Sequence, residues 1–362
     1  MREQQEFFMQ WAIKEGEKGR ATAPPNPWVG CLIVKEGEVL GKGFHEAPGQ
    51  PHAERIALQQ AGIDAKGATA YITLEPCAHH GRTPPCADAL IKSGIRTLVI
   101  PLLDPDLSVA GKGVKALKEA GIEVIIGVCK EEAEKSLGPY LFHRRNGIPY
   151  TVLKIASSLD GKVAAVDGTS KWITDEAARQ DVHRLRSESG ALLIGAYTAQ
   201  KDLPYLTVRH GEQNTHPLRV VVDSKGIVPP KGPLFDPSLG RTVIFTLTGC
   251  AMIPEWERMG VEVVPINGTL EGVDIKTVLE KLGQRGVLQL LVEGGATLVS
   301  NMIEGGCYQR LVVYYGGCLI GSNGLAFFQS EKQRTITDRL NVKLESISRF
   351  DNDIRLDYRP NS

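Results

Sequence analysis

The sequence lacks a surplus of either charge, because its 362 residues include 42 lysines and arginines and 42 aspartates and glutamates. Proteins that bind polynucleotides or anionic membranes through their overall field carry a basic excess. No apolar run reaches the length of a transmembrane helix, and the N-terminal MREQQEFFMQ has no signal-peptide core. These absences predict a cytoplasmic protein without nucleic-acid or membrane partners.

Cysteine is also scarce, since the chain contains seven, an odd number with no disulfide framework: Cys31, Cys77, Cys86, Cys129, Cys250, Cys307 and Cys318. This usage suits a reducing cytosol. A G-x-G-x-x-G run after the first strand of the second half is absent too, which excludes a standard Rossmann dinucleotide site there. The length itself predicts two domains or one large one.

The sequence does contain a set of zinc ligands. His52 and Glu54 stand in the run PHAE, and Cys77 and Cys86 follow downstream. Zinc takes imidazole nitrogen and thiolate sulfur in a tetrahedron, and a catalytic site leaves the fourth position to water. We therefore predict one zinc per chain on His52, Cys77 and Cys86. Glu54 is predicted to move protons between the water and a leaving amine, as in zinc deaminases.

The local patterns fit these roles. Residues 52–61 (HAERIALQQA) predict a helix that stops at Gly62, with His52 and Glu54 in its first turn. The apolar run 68–74 predicts a strand that delivers Cys77 at its end. Two prolines precede Cys86 and a second predicted helix. Both cysteines are therefore expected near helix N-termini, where the dipole favours thiolate.

The spacing between the cysteines departs from the P-C-x-x-C of generic zinc deaminases. Eight residues, AHHGRTPP, separate Cys77 from Cys86 and place His80 in a C-x-x-H spacing with Cys77. His80 is thus an alternative ligand, which we disfavour. Arg82 in the same run is a candidate phosphate contact because of its charge and position.

Both halves alternate helices with strands, which predicts α/β folds. The first half is predicted to hold helices at 4–18, 52–61, 113–120 and within 130–146, and strands at 29–34, 38–43, 68–74, 96–103 and 122–127. The second is predicted to hold strands at 150–157, 191–196, 218–223, 241–247, 261–266, 287–292 and 310–315, an edge hairpin at 342–347 and 353–358, and helices at 175–189, 273–284 and 295–304. We place the domain boundary near residue 147, giving domains 1–147 and 148–362.

A pair of glycines in the second half indicates a phosphate-binding loop. Gly294 and Gly295 follow a predicted strand and precede a predicted helix. Glycines let the backbone approach a ligand, and a helix N-terminus presents amide hydrogens to phosphate. Because such turns are common before helices, the motif alone leaves a purely structural role open.

The motifs together resemble one family over nearly the whole chain. TAPPNPWVGCLIV, GFHEAPGQPHAE and TLEPCAHHGRTPPC in the first half, with LKIASSLDGKVA, GTSKWIT, DVHRLRSESGALLIGAYTA, DLPYLTVR, PLRVVVDS and VEGGATL in the second, are similar to the bifunctional riboflavin biosynthesis deaminase/reductases. The resemblance implies an N-terminal cytidine-deaminase-like α/β/α sandwich. It also implies a C-terminal dihydrofolate-reductase-like α/β domain, a fold that binds NADPH without the Rossmann fingerprint.

The activity implied by the resemblance has two steps. The first is zinc-dependent hydrolytic deamination of 2,5-diamino-6-ribosylamino-4(3H)-pyrimidinone 5′-phosphate. The second is NADPH-dependent reduction of the ribosyl group of 5-amino-6-ribosylaminouracil 5′-phosphate to ribityl. The implied partner is therefore a small phosphorylated pyrimidine, and a homo-oligomeric state is expected. The alternatives are a nucleoside or tRNA deaminase with an accessory domain, and a regulatory protein with a degenerate deaminase fold.

The resemblance also implies site residues. The implied NADPH contacts are Ser157, Trp172, Thr198, Asp202, Ser224, Gly295, Ala296, Thr297 and Leu298. The implied substrate contacts are Asn26 and His45 in the pyrimidine pocket, and Lys154, Ser170, Arg186, Leu206, Arg209 and Glu293 in the reductase. Taken singly, these residues also fit structural roles such as an Asx turn for Asn26, packing for Trp172, capping for Ser170 and Ser224, and surface charge for the arginines.

The sequence departs from the family pattern at three places. Leu203 replaces a usual Asp before Pro, Asp106 replaces a usual Asn, and Gly316-Gly317 stand near a usual Ala-Pro. None coincides with the predicted zinc ligands or the Glu293 loop.

Overall fold

The chain forms two compact units, Met1–Gly147 and Ile148–Ser362, each with its own hydrophobic clusters. This computed structural model describes residues 2–78, 85–209, 216–269 and 272–361. Within those ranges, no helix is both long and apolar enough to cross a bilayer.

The first unit is a five-stranded sheet with helices on both faces. Its elements are α1 (Arg2–Gly16), β1 (Gly30–Lys35), β2 (Glu38–Phe44), α2 (Ala53–Ala61), β3 (Thr69–Ile72), α3 (Cys86–Lys92), β4 (Thr97–Ile100), α4 (Lys112–Glu119), β5 (Glu123–Ile126), α5 (Lys130–Ser136) and α6 (Gly138–Asn146). The strand order is β2-β1-β3-β4-β5. Strand β1 runs antiparallel to β2 and β3, whereas β3, β4 and β5 are parallel.

Alternation along β1 separates the two helical layers of this unit. Cys31 and Ile33 join the cluster that contains α2 and α3, while Leu32 and Val34 join the cluster that contains α1. A Cβ at Gly41 of β2 would lie 2.1 Å from the Ala57 carbonyl oxygen, so only glycine lets α2 pack this closely. The sandwich thus fixes the position of α2, which begins at the predicted metal site.

The segment 130–146, which was predicted to be one helix plus a charged connector, forms two helices in the structure. Helix α5 ends at Ser136 and α6 begins at Gly138. Pro139 lies in the first turn of α6, where its missing amide hydrogen costs nothing, but it could not have continued α5.

The second unit is built on a nine-stranded sheet. Its elements are β6 (Tyr150–Ser158), β7 (Lys162–Ala164), α7 (Glu176–Ser187), β8 (Ala191–Gly195), α8 (Ala196–Asp202), β9 (Leu218–Asp223), β10 (Thr242–Leu247), α9 (Ile253–Arg258), β11 (Glu262–Ile266), α10 (Ile275–Gln284), β12 (Gln289–Glu293), α11 (Ala296–Glu304), β13 (Arg310–Gly316), β14 (Leu325–Ala326), β15 (Val342–Phe350) and β16 (Asp353–Pro360). The order is β11-β10-β9-β8-β12-β6-β13-β16-β15, and β14 pairs separately with β7.

The topology brings the candidate site residues to one edge of this sheet. Strands β9, β8, β12 and β6 are neighbours and run parallel, so their carboxyl ends meet at the same edge. Ligands of open parallel sheets bind at that edge. The predicted strands and the edge hairpin are confirmed. The short elements β7, α8, α9 and β14 were not predicted, because each has seven residues or fewer and no sustained periodicity.

The departure at Gly316 has a steric reason. A Cβ at this position would lie 1.8 Å from the carbonyl oxygen of Ile173, so the backbone contact between β13 and that loop requires glycine. A Cβ at Gly317 would likewise meet the side chain of Asn352 at 2.1 Å.

A buried ionic network joins α7 to the antiparallel side of the sheet. The Arg355 guanidinium lies 2.6 Å from the Asp181 carboxylate and 2.9 Å from that of Asp357. The Tyr314 hydroxyl donates to Asp181 at 2.6 Å. The Arg355 and Asp181 side chains are only 5% and 7% exposed. Because buried charges are costly unless paired, this network fixes where α7 lies on the sheet.

We predict that Arg355→Leu destabilises the protein by about 3 kcal/mol, because it removes the buried cation that lies between two buried carboxylates. Asp181 then keeps only Arg184 and Asp357 only Arg310 as cationic partners, and both of these arginines are more exposed than Arg355. The matched control is Arg359→Leu on the same strand, whose partner Glu345 lies 3.1 Å away in a half-exposed pair. That control should cost less than about 1 kcal/mol. Urea unfolding of both variants measures the difference, and equal small costs would contradict the importance of the network.

Candidate active sites

Three predicted ligands meet in the first unit. The Nδ1 atom of His52 lies 3.7 Å from the Cys77 sulfur and 3.3 Å from the Cys86 sulfur. All three ligand atoms lie within 4.8 Å of one another, and this is the one His/Cys/Asp/Glu cluster of metal-binding geometry that the described ranges contain. Zinc bonds of about 2.0–2.3 Å in a tetrahedron place ligand atoms about 3.5–3.8 Å apart. The donor set and its spacing therefore fit zinc.

The local fold places two of the three ligands at helix starts, whereas Cys77 lies in the non-helical segment that follows β3. His52 is the N-cap of α2, and Cys86 is the first residue of α3. The Cys86 amide donates to the Cys77 sulfur at 3.4 Å. Hydrogen bonds from Cys86 and His52 outweigh burial and lower the pKa of Cys77 to about 4, while the same contact and burial raise the pKa of Cys86. Both sulfurs bind a metal as thiolates, so metal binding would release any proton that they carry.

Glu54 lies in the first turn of α2, two residues after the predicted ligand His52. It is only 4% exposed. Burial raises the pKa of Glu54, although the charge of His52 opposes that rise. A carboxyl group whose pKa is shifted toward neutrality can both accept and return a proton. The proton-transfer role of Glu54 stays a prediction.

A cleft of about 480 Å³ opens over these residues and includes Asn26 and His45 among its lining. The Asn26 amide nitrogen lies 3.0 Å from His45 Nε2, and His45 Nδ1 lies 3.3 Å from the Pro51 carbonyl oxygen. Burial lowers the pKa of His45, which favours the neutral ring. Nδ1 then donates to Pro51 and Nε2 accepts from Asn26, so the orientation of the Asn26 amide is fixed.

The cleft is also lined by Glu75, Asp104 and Tyr140, which were not predicted as site residues. Buried Glu75 accepts backbone N–H groups of Asp104 (3.2 Å), Gly111 (2.9 Å) and Val114 (3.1 Å). Asp104 in turn accepts the Tyr140 hydroxyl at 3.0 Å. Glu75 therefore ties the loop that follows β4 to the strand end that carries Cys77. Its only sequence signal was its place beside Pro76-Cys77.

Arg144 of α6 lines the same cleft. Its guanidinium lies 3.3 Å from the Asp106 carboxylate and 5.0 Å from the Tyr140 ring centroid. Asp106, which departs from the family pattern, is thus held by an arginine at the cleft. Arg82 and His80 lie outside the described residues.

In the second unit, Glu293 and Arg186 form a buried ion pair. Arg186 Nε and Nη2 donate to the two Glu293 carboxylate oxygens at 2.5 and 2.8 Å. Burial works against ionisation, but Arg186 outweighs it and holds the pKa of Glu293 below its usual value. Lys154 is the register partner of Glu293 on β6, and burial lowers its pKa although Glu293 opposes that shift. Two cations thus share one carboxylate.

The Leu206–Arg209 segment lies against the same pair. The Arg186 Nη1 atom donates to the Thr207 carbonyl oxygen at 3.0 Å. Leu206 is buried, whereas the Arg209 side chain is exposed. The structure therefore brings together Lys154, Arg186, Leu206 and Glu293, with Arg209 at the end of the segment.

The two glycines after β12 form a turn with positive φ values, +94° at Gly294 and +73° at Gly295. Gly295 is the N-cap of α11, whose first residues are Ala296, Thr297 and Leu298. A Cβ at Gly294 would lie 3.2 Å from the Thr198 side chain, and one at Gly295 would lie 3.3 Å from it. Thr198 therefore lies beside the glycine turn, at the sheet edge where a cofactor would bind.

The other predicted cofactor and substrate contacts differ in exposure and in hydrogen bonding. Ser157 is buried and donates to the Ser158 carbonyl, and Ser224 Oγ accepts the Val273 amide at 2.9 Å. Trp172 is 72% exposed, and the Arg179 guanidinium lies over its ring, 4.4 Å from the ring centroid. Ser170 and Asp202 are exposed, and Leu203 closes α8 with φ of +40°. Ser157 lies near the carboxyl end of β6, and Ser224 comes directly after β9, so both are at the shared sheet edge. Their hydroxyl groups are already hydrogen-bonded to the protein backbone.

Family comparisons match both units. A model of the cytidine and deoxycytidylate deaminase zinc-binding region matches residues 2–102, and a model of the RibD C-terminal domain matches residues 149–356.

Individual relatives match almost the full chain. The riboflavin biosynthesis protein RibD of Chlamydia trachomatis is 48% identical over 327 residues, covering 89% of this chain and 87% of that protein. The same-named protein of Escherichia coli is 39% identical over 365 residues, covering 98% of each. A solved structure, Acinetobacter baumannii RibD form 1, superimposes with a TM-score of 0.91 at 40% identity and covers 100% of both chains.

We predict that Glu54→Gln keeps zinc but lowers the deamination rate about a hundredfold or more, because the amide cannot transfer protons. Elemental analysis and an ammonia-release assay measure the two effects. The contrasting variant is Cys86→Ser, which removes a ligand and should lose zinc. Loss of zinc from Glu54→Gln would make Glu54 a ligand, and full zinc in Cys86→Ser would remove Cys86 from the site.

Proposed function

The chain belongs to the RibD family of riboflavin biosynthesis proteins, and from that premise we propose a role for each residue of its two sites. It is a bifunctional deaminase and reductase. It deaminates 2,5-diamino-6-ribosylamino-4(3H)-pyrimidinone 5′-phosphate and then reduces the ribosyl group of 5-amino-6-ribosylaminouracil 5′-phosphate with NADPH. We assign deamination to Met1–Gly147 and reduction to Ile148–Ser362.

In the deaminase unit, His52, Cys77 and Cys86 would hold the metal, which would supply the Lewis acidity that activates water. Glu54 would accept a proton from the attacking water and return it to the amine that leaves the pyrimidine. Asn26 and His45 orient the ring, because their mutual hydrogen bond leaves the Asn26 carbonyl oxygen as an acceptor of fixed direction. The observation that carries this assignment is the buried Glu54 beside three preassembled zinc ligands. Arg82 remains a proposed phosphate contact.

In the reductase unit, Glu293 and Lys154 bind the polar groups of the substrate's base and sugar, with Ser170 and Leu206 lining the same site. The resemblance implied that Arg186 contacts the substrate, but its hydrogen bonds to Glu293 and Thr207 support a different role. We propose that Arg186 orients Glu293 and that exposed Arg209 binds the phosphate, since a guanidinium pairs well with phosphate oxygens.

The turn at Gly294–Gly295 and the start of α11 would hold NADPH, which would supply the hydride. Two observations support this proposal: the turn consists of two glycines with positive φ, which carry no Cβ, and it lies at the shared edge of parallel strands. Amide hydrogens at the start of α11 suit a phosphate of the cofactor. Ser157, Trp172, Asp202 and Ser224 are proposed contacts around that turn.

The substrate is a small molecule, and two further properties are proposed. All seven cysteines are free, and the two metal-binding thiolates require a reducing compartment, which supports the cytoplasm. The long edge strand β15 exposes Leu344 and Ile347, which supports a homo-oligomer and argues for measuring the solution mass by light scattering. We propose neither nucleic-acid nor membrane partners.

We predict that Arg209→Ala raises the reductase KM for the phosphorylated substrate about tenfold or more, the worth of a charged hydrogen bond. The matched control is Arg241→Ala, which removes an arginine that is 81% exposed on the same unit and should change nothing. Steady-state kinetics with substrate lacking the phosphate completes the test. Should the wild type reduce that compound equally well, Arg209 does not bind phosphate.

Removal of zinc is predicted to abolish deamination and to spare reduction of substrate that is already deaminated. All three ligands lie in Met1–Gly147, and hydride transfer from NADPH needs no metal. Metal binding can also contribute folding free energy, so circular dichroism of the chelator-treated protein must accompany the assay. A folded, zinc-free protein unable to reduce would show that the two activities are interdependent.

A further inference from the structure

Two residues of α7, one turn apart, form hydrogen bonds with the backbone of the Leu206–Arg209 segment. Arg186 donates to the Thr207 carbonyl oxygen, and three residues earlier His183 accepts the Arg209 backbone N–H on Nδ1 at 3.2 Å. Residues i and i+3 lie on the same face of a helix, so both contacts come from one face of α7. His183 is buried, with 5% of its surface exposed, and no role in catalysis or binding follows for it from the sequence motifs.

The backbone of this segment would not hold its conformation unaided. Leu206 has φ of +48°, in the left-handed region that costs a branched residue about 1–2 kcal/mol. Thr207 and Val208 are buried, so the chain is anchored up to the residue that precedes Arg209. At Arg209 the side chain is exposed, and the hydrogen bond to His183 fixes its backbone.

We propose that His183 is a positioning residue for the reductase: it holds the Arg209 backbone so that the guanidinium is presented to the phosphate of the substrate. The proposal rests on the phosphate-binding role proposed for Arg209. The hydrogen bond requires a neutral imidazole whose Nδ1 is an acceptor. His183 therefore acts on substrate affinity through Arg209.

Two nearly isosteric substitutions separate this role from simple packing. In His183→Asn the amide oxygen can occupy the position of Nδ1 and accept the Arg209 N–H. In His183→Gln the amide reaches the position of Nε2 and leaves that N–H without its acceptor. The KM for phosphorylated substrate should rise about fivefold in His183→Gln, the worth of one hydrogen bond, and stay within roughly twofold of wild type in His183→Asn. The kcat and the KM for NADPH should not change in either variant.

The double variant His183→Gln/Arg209→Ala tests whether the effect passes through Arg209. Its KM should equal that of Arg209→Ala alone, because the guanidinium is already gone. Additive effects, an unchanged KM in His183→Gln, or a raised KM in folded His183→Asn would each overturn the positioning role. Circular dichroism checks the folding of each variant, and either folded variant can overturn the role: His183→Gln by an unchanged KM, His183→Asn by a raised one.

The experiment also distinguishes failure of the phosphate-binding role proposed for Arg209 from failure of the role proposed for His183. If Arg209→Ala leaves the KM for phosphorylated substrate unchanged, the phosphate role of Arg209 falls, and the proposal for His183 falls with it. If Arg209→Ala raises KM while His183→Gln does not, Arg209 still binds phosphate and only the role of His183 is wrong.

Discussion

The deaminase site depends on holding two thiolate sulfurs beside one imidazole nitrogen. Sulfur anions repel each other, so the fold must supply hydrogen bonds and a metal to keep them together. The amide at the start of α3 serves Cys77, and Glu75 uses three backbone amides to bind the strand end before Cys77 to the loop after β4. The close approach of α2 to β2 at Gly41 places His52 and Glu54 on the other side. The sandwich is thus a scaffold for one donor set.

The reductase unit also holds like charges close together, but here they are positive: Arg186 and Lys154 both interact with Glu293. Its site contains one buried carboxylate, Glu293, between two cations, and the pair with Arg186 is satisfied before any ligand arrives. The position of α7 decides that pairing, and the network of Asp181, Tyr314 and Arg355 fixes α7 on the sheet. Residues far from the substrate therefore control where Arg186 lies. An ion pair of this kind orients groups more than it stabilises the fold.

Local motifs predicted the chemistry better than the packing. The ligands His52, Cys77 and Cys86 and the adjacent Glu54 followed from residue type, spacing and helix-start signals, and most strands of both sheets followed from apolar runs. The contacts of Arg186 with Glu293 and of Arg355 with Asp181 join residues 107 and 174 positions apart, and periodicity cannot reveal such pairs. The resemblance named Arg186 as a substrate contact, but only the structure shows that Glu293 already occupies its guanidinium. The clamp at Glu75 was equally invisible, because its partners are backbone amides.

The central claim is that one histidine nitrogen and two cysteine sulfurs hold a zinc ion with a position left for water. X-ray absorption spectroscopy at the zinc edge of the full-length protein tests it most directly. The account predicts about two sulfur neighbours near 2.3 Å and about two nitrogen or oxygen neighbours near 2.0–2.1 Å. A shell of four sulfur ligands, or one without sulfur, would contradict it.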